Sequence, residues 1–320
     1  MKNKIDVSAR DVLTPAALVM LQRIADSGSF AAAARASGRV PSAVTYQVRQ
    51  IEDALDVLLF DRSSRQAHLT EAGKELIREG MRLLNEIDAV ANRVRRVATG
   101  WEPQFTLAVD SIINSTTVMA LCEDFFALAS PTRLRIRTET LSGTLEALTS
   151  GQADLSLGVV TEATPMAGFQ MRPLGTQRFV FAVAPQHPLA KAPEPLSDRL
   201  ISQHRIVTAA DSVQQGRGMT VGLLEGQDVF TVTTMQAKLE AQLRGLGCGF
   251  LPEGLAQPFI ETGRLVVKRV ERAEHQVRAS YGWRKTPASA RGRALQWWLD
   301  RLEHPGTRSA LLCLRTGDGA

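Results

Sequence analysis

The chain has 320 residues and 34.9 kDa, more than one ordinary domain, so two or three compact units are expected. With 44% hydrophobic and 22% charged residues it is globular in composition, and no apolar run reaches the roughly 18 residues that a membrane span needs. The net charge of +5 is compatible with a polyanionic partner, while three scattered cysteines without a CxxC pair or His/Cys cluster speak against a disulfide framework and a zinc site.

The first 100 residues carry 15 Lys/Arg against 12 Asp/Glu, leaving 23 against 21 of the 38 basic and 33 acidic residues for the remainder. Met1 to Asp11 is polar and has no apolar core, so no secretory signal is read there and a cytoplasmic location is expected. Thr14-Pro15 has the form of an N-cap followed by proline at the first helical position. Ala17, Leu18, Leu21, Ile24 and Ala25 follow at helical spacing, and Gly28 supplies the stop. Ser29 caps a second, alanine-rich helix from Phe30 to Ser37, which Gly38-Arg39 breaks. In a third helix Val44, Val48, Ile51 and Leu55 form one apolar stripe, with Ser42, Thr45, Tyr46 and Arg49 opposite.

Two short helices, a tight turn and a third helix with a polar N-terminal face make a helix-turn-helix, a motif that lays that face in the major groove. Arginine donates to guanine, hydroxyls donate or accept, and tyrosine touches a sugar or a thymine methyl. Leu58 to Phe60 and Gln66 to Leu69 pair as two short strands, a wing with Arg62 and Arg65 at its turn. The candidate DNA-binding residues are therefore Ser29, Arg35, Ser42, Thr45, Tyr46, Arg49, Arg62, Arg65 and Gln66. A plain helical bundle with a solvated face is the competing reading of the same pattern.

The stretch SGSFAAAARASGRVPSAVTYQVRQIEDALDVLLFDRSSRQAHLTEAG resembles the N-terminal signature of LysR-type transcriptional regulators. The resemblance is strongest over residues 14–75 and collinear to about residue 302. It implies an α/β chain with a winged helix-turn-helix at 1–70, a linker helix at 71–100, and a bilobed periplasmic-binding-protein-like effector domain. One departure stands out. Members commonly begin the recognition helix with Ser-Gln, whereas this chain has Val40-Pro41, and proline brings neither a side-chain donor nor an N–H. Base reading then shifts to Ser42, Tyr46 and Arg49, or to Arg65 and Gln66 in the wing.

Thr70 caps the linker helix, in which Leu76, Gly80, Leu83, Ile87, Val90, Val94 and Val97 alternate steps of four and three. That 3.5-residue repeat predicts a dimerising coiled coil, and the resemblance implies a homodimer or homotetramer. A helix lying on its own domain is the alternative. Beyond Gly100, strands at Phe105 to Val109, Leu134 to Thr140 and Leu155 to Val160 alternate with helices, which predicts a parallel sheet. The chain is expected to leave this lobe near Thr161 to Pro165 and to return after Leu265 to Val270. This gives one subdomain of 101–162 with 267–302, a second of 163–266, and a loose tail at 303–320, with docking of Leu311-Leu312-Cys313-Leu314 as the alternative.

Two crossings make a hinge with a cleft between the lobes, and in such sheets ligands sit beyond the carboxyl ends of strands. The candidate effector-binding residues are Asp110, Ser111, Ser142, Thr144, Asp211, Ser212 and Thr233. A cleft-facing Asp110 would disfavour an anionic effector unless Arg178 or Arg217 offset it. Cys248 is read as a buried small residue, with redox sensing as a conceivable role. The implied function is a sequence-specific DNA-binding regulator that responds to a small-molecule effector. Its partners would be double-stranded DNA, a second copy, and RNA polymerase if it activates; no cofactor, metal or membrane enters. A small-molecule binding protein without a DNA role and an enzyme on the bilobed fold are the alternatives. No GxSxG, HExxH, P-loop or dinucleotide fingerprint supports the enzyme.

Overall fold

The computed structural model describes residues 8–61, 66–160, 166–213, 221–272 and 275–313. The chain divides into two compact units, residues 1–91 and 92–320.

In the first unit a short helix α1 (Ala9–Val12), which the sequence pattern does not announce, precedes α2 (Pro15–Ser27). The Thr14 hydroxyl accepts from Ala17 N at 3.2 Å, and Gly28 ends α2 at φ 60°, where glycine carries no steric penalty. Ser29 caps α3 (Phe30–Ala36), and Val40-Pro41 opens α4 (Pro41–Leu55). Val44, Val48 and Ile51 are buried against Leu21, Ile24 and Phe60. The strands β1 (Phe60–Asp61) and β2 (His68–Leu69) pair antiparallel. Buried Glu52 accepts from Leu59 N at 2.9 Å and so ties α4 to the wing.

Helix α5 (Glu71–Thr99) starts at Thr70, whose hydroxyl accepts from Gly73 N at 3.0 Å. Its first two stripe positions do not belong to a free seam. Leu76 packs on the core of its own unit, and a Cβ at Gly80 would stand 2.7 Å from Leu18 Cδ2. Leu83, Ile87, Val90, Val94 and Val97 are exposed.

The second unit holds β3 (Gln104–Asp110), α6 (Ser115–Phe126), β4 (Arg133–Glu139), α7 (Gly143–Thr149), β5 (Leu155–Val160) and β6 (Phe169–Val183). It continues with α8 (Asp198–Ile201), β7 (Ile206–Ala209), β8 (Val229–Val232), α9 (Met235–Leu243), β9 (Gly249–Pro252), α10 (Glu253–Glu261), β10 (Val266–Val267), β11 (His275–Arg284), α11 (Arg293–Glu303) and α12 (Pro305–Leu311). β4, β3 and β5 are parallel, as are β7 and β8. Strands β6 and β11 run antiparallel to each other over Phe169 to Phe179, and β6 then pairs with β9 and β10. β6 therefore pairs with strands of both lobes, and the expected crossing near residues 161–165 falls outside the described residues. Lobe I packs Phe105, Leu107, Phe125, Trp283 and Trp298 into one core, and lobe II forms around Phe181, Leu239 and Leu251.

Residues 305–313 are held in place, while residues 314–320 lie outside the described residues. α12 places Leu311 and Leu312 in the lobe I core, so burial of two leucines holds this stretch down. A second fastening joins the ends of lobe I. The buried Glu102 carboxylate accepts from Ala294 N at 2.9 Å and Leu295 N at 3.3 Å, capping α11 with a negative charge at its N-terminus. Glu102→Ala should cost about 1–3 kcal/mol by leaving buried amides unpaired. Tryptophan fluorescence during urea unfolding reads this in the second unit alone, since Trp101, Trp283, Trp297 and Trp298 all lie there. An unchanged midpoint would refute it.

Candidate DNA-reading helix and effector cleft

Helix α4 sorts its residues cleanly. With Val44, Val48 and Ile51 turned inward, Ser42, Tyr46 and Arg49 stand exposed in steps of four and three on one outer face, Tyr46 at 64%. Thr45 is half-buried, and its hydroxyl donates back to Pro41 O at 3.0 Å. Gln50 Nε2 donates to the Tyr46 hydroxyl at 3.2 Å, which steadies the ring along the helix. Arg35 and Gln66 are exposed, whereas Ser29 spends its hydroxyl accepting from Ala32 N at 3.3 Å. Arg62 and Arg65 lie outside the described residues. Arg39 is an addition: it is exposed at the helix-turn-helix turn and donates to Gln47 Oε1 at 2.8 Å.

In the second unit the carboxyl ends of β3, β4 and β7 converge. Asp110 closes β3 and is 2% exposed. One carboxyl oxygen accepts from Ile112 N at 2.9 Å; the other accepts from Leu141 N at 2.9 Å and from the Thr144 hydroxyl at 3.3 Å. Burial pushes the Asp110 carboxyl up to about 7, against these hydrogen bonds, which pull it down. Gly158, at φ 86°, makes room: a Cβ there would stand 2.7 Å from Asp110 Cβ. Asp110 and Thr144, both named as effector candidates, are buried in lobe I, where they join two loops. Arg178 stands 3.8 Å from Glu253, and Arg217 is outside the described residues.

The other candidates meet across the lobes. The Ser142 hydroxyl donates to Asp211 Oδ2 at 2.7 Å, and Ser142 N donates to Asp211 Oδ1 at 3.1 Å. Ser212 Oγ donates to Glu139 Oε2 at 2.7 Å and accepts from Thr140 N at 2.9 Å, while Ser212 N donates to Thr140 O at 3.2 Å. The Thr140 hydroxyl lies 3.3 Å from Ser111 Oγ and donates to Thr233 O at 3.1 Å. This is a latch between lobe I and lobe II. Gly143 is required by it, because a Cβ there would overlap Ser212 Oγ. Glu139 and Thr140 were missed by sequence reasoning, although both sit at the carboxyl end of β4, where the strand-end rule points.

Cys248 is fully buried; its thiol donates to Arg205 O at 3.4 Å, and burial pushes it up to about 11. Burial and a raised value both disfavour the reactive thiolate at Cys248. Among the described residues no three His, Cys, Asp or Glu come together as a metal site, and no helix is long and apolar enough to cross a membrane.

Two family descriptions match the chain. "Bacterial regulatory helix-turn-helix protein, lysR family" covers residues 15–74, and "LysR substrate binding domain" covers residues 98–305. The chain belongs to the LysR-type transcriptional regulators. It is accordingly a DNA-binding regulator with an effector-binding domain, and not an enzyme. This regulator is 36% identical to YeeY, an HTH-type transcriptional regulator of Escherichia coli strain K12, over 89% of its own length and 91% of that protein's. It is 34% identical to YhaJ of the same strain, a probable HTH-type transcriptional regulator, over 90% and 95%. Among solved structures it shares its fold with CbnR, a LysR family transcriptional regulator, at a TM-score of 0.58 and 16% identity, covering 91% of this chain and 99% of that one. It also resembles full-length LysG from Corynebacterium glutamicum with bound effector Arg, at 0.51 and 23%, covering 92% and 98%.

Asp110 leaves a pH signature in this regulator. Its folded value lies above the ordinary value of 3.8, so between about 4 and 7 the folded protein holds a proton that the unfolded chain has released. The Asp110 contribution to stability is therefore lost as pH rises through that window, by up to about 4 kcal/mol. Urea unfolding followed by tryptophan fluorescence should show a decline in wild type relative to Asp110→Asn; parallel pH profiles would exclude it.

Proposed function

We propose that the α4 face reads operator DNA in the major groove, with Ser42, Tyr46 and Arg49 reaching base edges and Thr45, Arg35 and Gln66 supporting them from the backbone side. Arg62 and Arg65 in the wing are assigned to the minor groove on sequence grounds, and Ser29 positions α3 through its cap. The observation that carries this reading is the single exposed face Ser42–Tyr46–Arg49 on a helix whose opposite stripe is fully packed. Two heads are needed to read an operator, and the exposed Leu83, Ile87, Val90, Val94 and Val97 of α5 are a seam for a second copy, as dimer or tetramer. The effector is a small molecule that works at the interlobe latch, through Ser111, Ser142, Asp211, Ser212 and Thr233. Its binding shifts the lobe arrangement and hence the spacing of the two heads. The regulator acts in the cytoplasm, and where it activates it does so by engaging RNA polymerase.

Selection of retained duplexes from random and genomic DNA by the full-length protein should enrich an interrupted inverted repeat. On that site affinity should fall roughly a thousandfold or more between about 50 and 200 mM salt. Arg49→Ala should cost about 1–3 kcal/mol and relax the preference at one position of each half-site. A uniform loss on all sequences would make Arg49 a phosphate contact, and sequence-blind retention would overturn the base-reading assignment.

A further inference from the structure

The C-terminal segment reaches from one lobe to the other. One end is pinned to lobe I, where Leu311 and Leu312 are buried in the core. Asn114 N donates to Leu311 O at 2.8 Å, the Thr117 hydroxyl donates to Ala310 O at 3.1 Å, and the Asn114 side-chain amide donates to Cys313 Sγ at 2.8 Å. Arg308 closes the turn before them by donating to Leu302 O and Glu303 O at 2.9 and 2.8 Å. The other contact is to lobe II. Gly254 is the second residue of α10, and α10 packs through Ala256 on Ala182, Leu239 and Leu251. A Cβ at Gly254 would overlap that of Cys313 and stand 2.6 Å from its carbonyl oxygen. Only glycine permits so close an approach. This tie is made by residues 305–313, at and beyond the end of the matched effector domain at residue 305.

We propose that residues 305–313 are an interlobe strap that sets the resting lobe angle, and with it the strength of the effector response. The inference rests on reading the latch as the effector site. Among the described residues the sheet runs between the lobes through β6 and β11, so contacts outside the sheet decide which lobe angle is populated. The latch is one such contact and the strap is another. Both are made in the same arrangement, so the strap favours the latched state. An effector that must separate Ser142 from Asp211 works against both ties, and one that completes the latch works with both.

Hydrogen exchange followed by mass spectrometry on the full-length protein tests this without ligand or DNA. The amides of Thr140, Ser142 and Ser212 report the latch, and those of β3 and β7 report each lobe. Two variants are compared with wild type: Gly254→Ala, which pushes the strap off α10, and a chain ending at Leu312, which keeps both buried leucines. Each should speed exchange at the three latch amides roughly fivefold or more, the lower range of intersite coupling, with β3 and β7 unchanged. Combining the two should be no faster than the shortened chain alone, because the added methyl then no longer meets Cys313. Unchanged latch exchange, an additive double variant, or faster exchange through β3 would each overturn the strap. The effector reading fails separately, if Ser142→Ala and Ser212→Ala leave the wild-type response of DNA binding to its effector intact.

Discussion

A carboxylate with almost no solvent is an awkward thing to keep, and lobe I is arranged around one. Asp110 ends β3, and its two oxygens draw in the amides of Ile112 and Leu141 and the hydroxyl of Thr144. Leu141 takes a left-handed backbone at φ 57° to present its N–H, and Gly158 takes another to let β5 pass close by. Leu141 lies between Thr140 and Ser142, which Ser212 and Asp211 reach at the lobe boundary. The buried acid has no hydrogen bond to the opposing lobe among the described contacts, but it holds the amide of Leu141, which lies between the two latch residues Thr140 and Ser142.

The latch is built from short groups with competing partners. Every donor at Ser142 and Thr140 finds an acceptor on lobe II, and Gly143 removes the one side chain that would hold the lobes apart. Such an arrangement is stable without being strong, because each hydrogen bond is worth on the order of 1 kcal/mol net of solvent. A few such bonds can be exchanged for bonds to a ligand, which is what a regulator with an effector domain requires. The DNA-binding unit follows the opposite rule. Its α4 is held by a packed apolar stripe and by Glu52 on Leu59, so that its outer face is presented rigidly.

Much of the fold was legible in the sequence because it rests on local chemistry. Thr14-Pro15, Gly28, Ser29 and Pro41 punctuate the helices where the structure starts and stops them, and Val44, Val48 and Ile51 are buried at the spacing that predicts it. β5 and β8 fall at the expected residues, since short apolar runs bounded by turns leave little choice. The first half of β6 and all of α1 and α12 were not legible. β6 alternates charge and apolar residues around Pro173 and Gly175, and only its pairing with β11 makes it one strand.

The same division runs through the candidate sites. Ser42, Tyr46 and Arg49 were readable because a helix of known phase, with its apolar stripe identified, leaves them no face but the outer one. Asp110, Thr144, Ser142 and Asp211 looked alike in sequence, as polar residues at strand ends. Tertiary structure buried the first two within one lobe and paired the last two across the boundary, and it brought in Glu139 and Thr140. Strand-end position is a local property. Which side of a lobe boundary a side chain meets depends on contacts between residues some seventy positions apart, and no spacing within the chain encodes that.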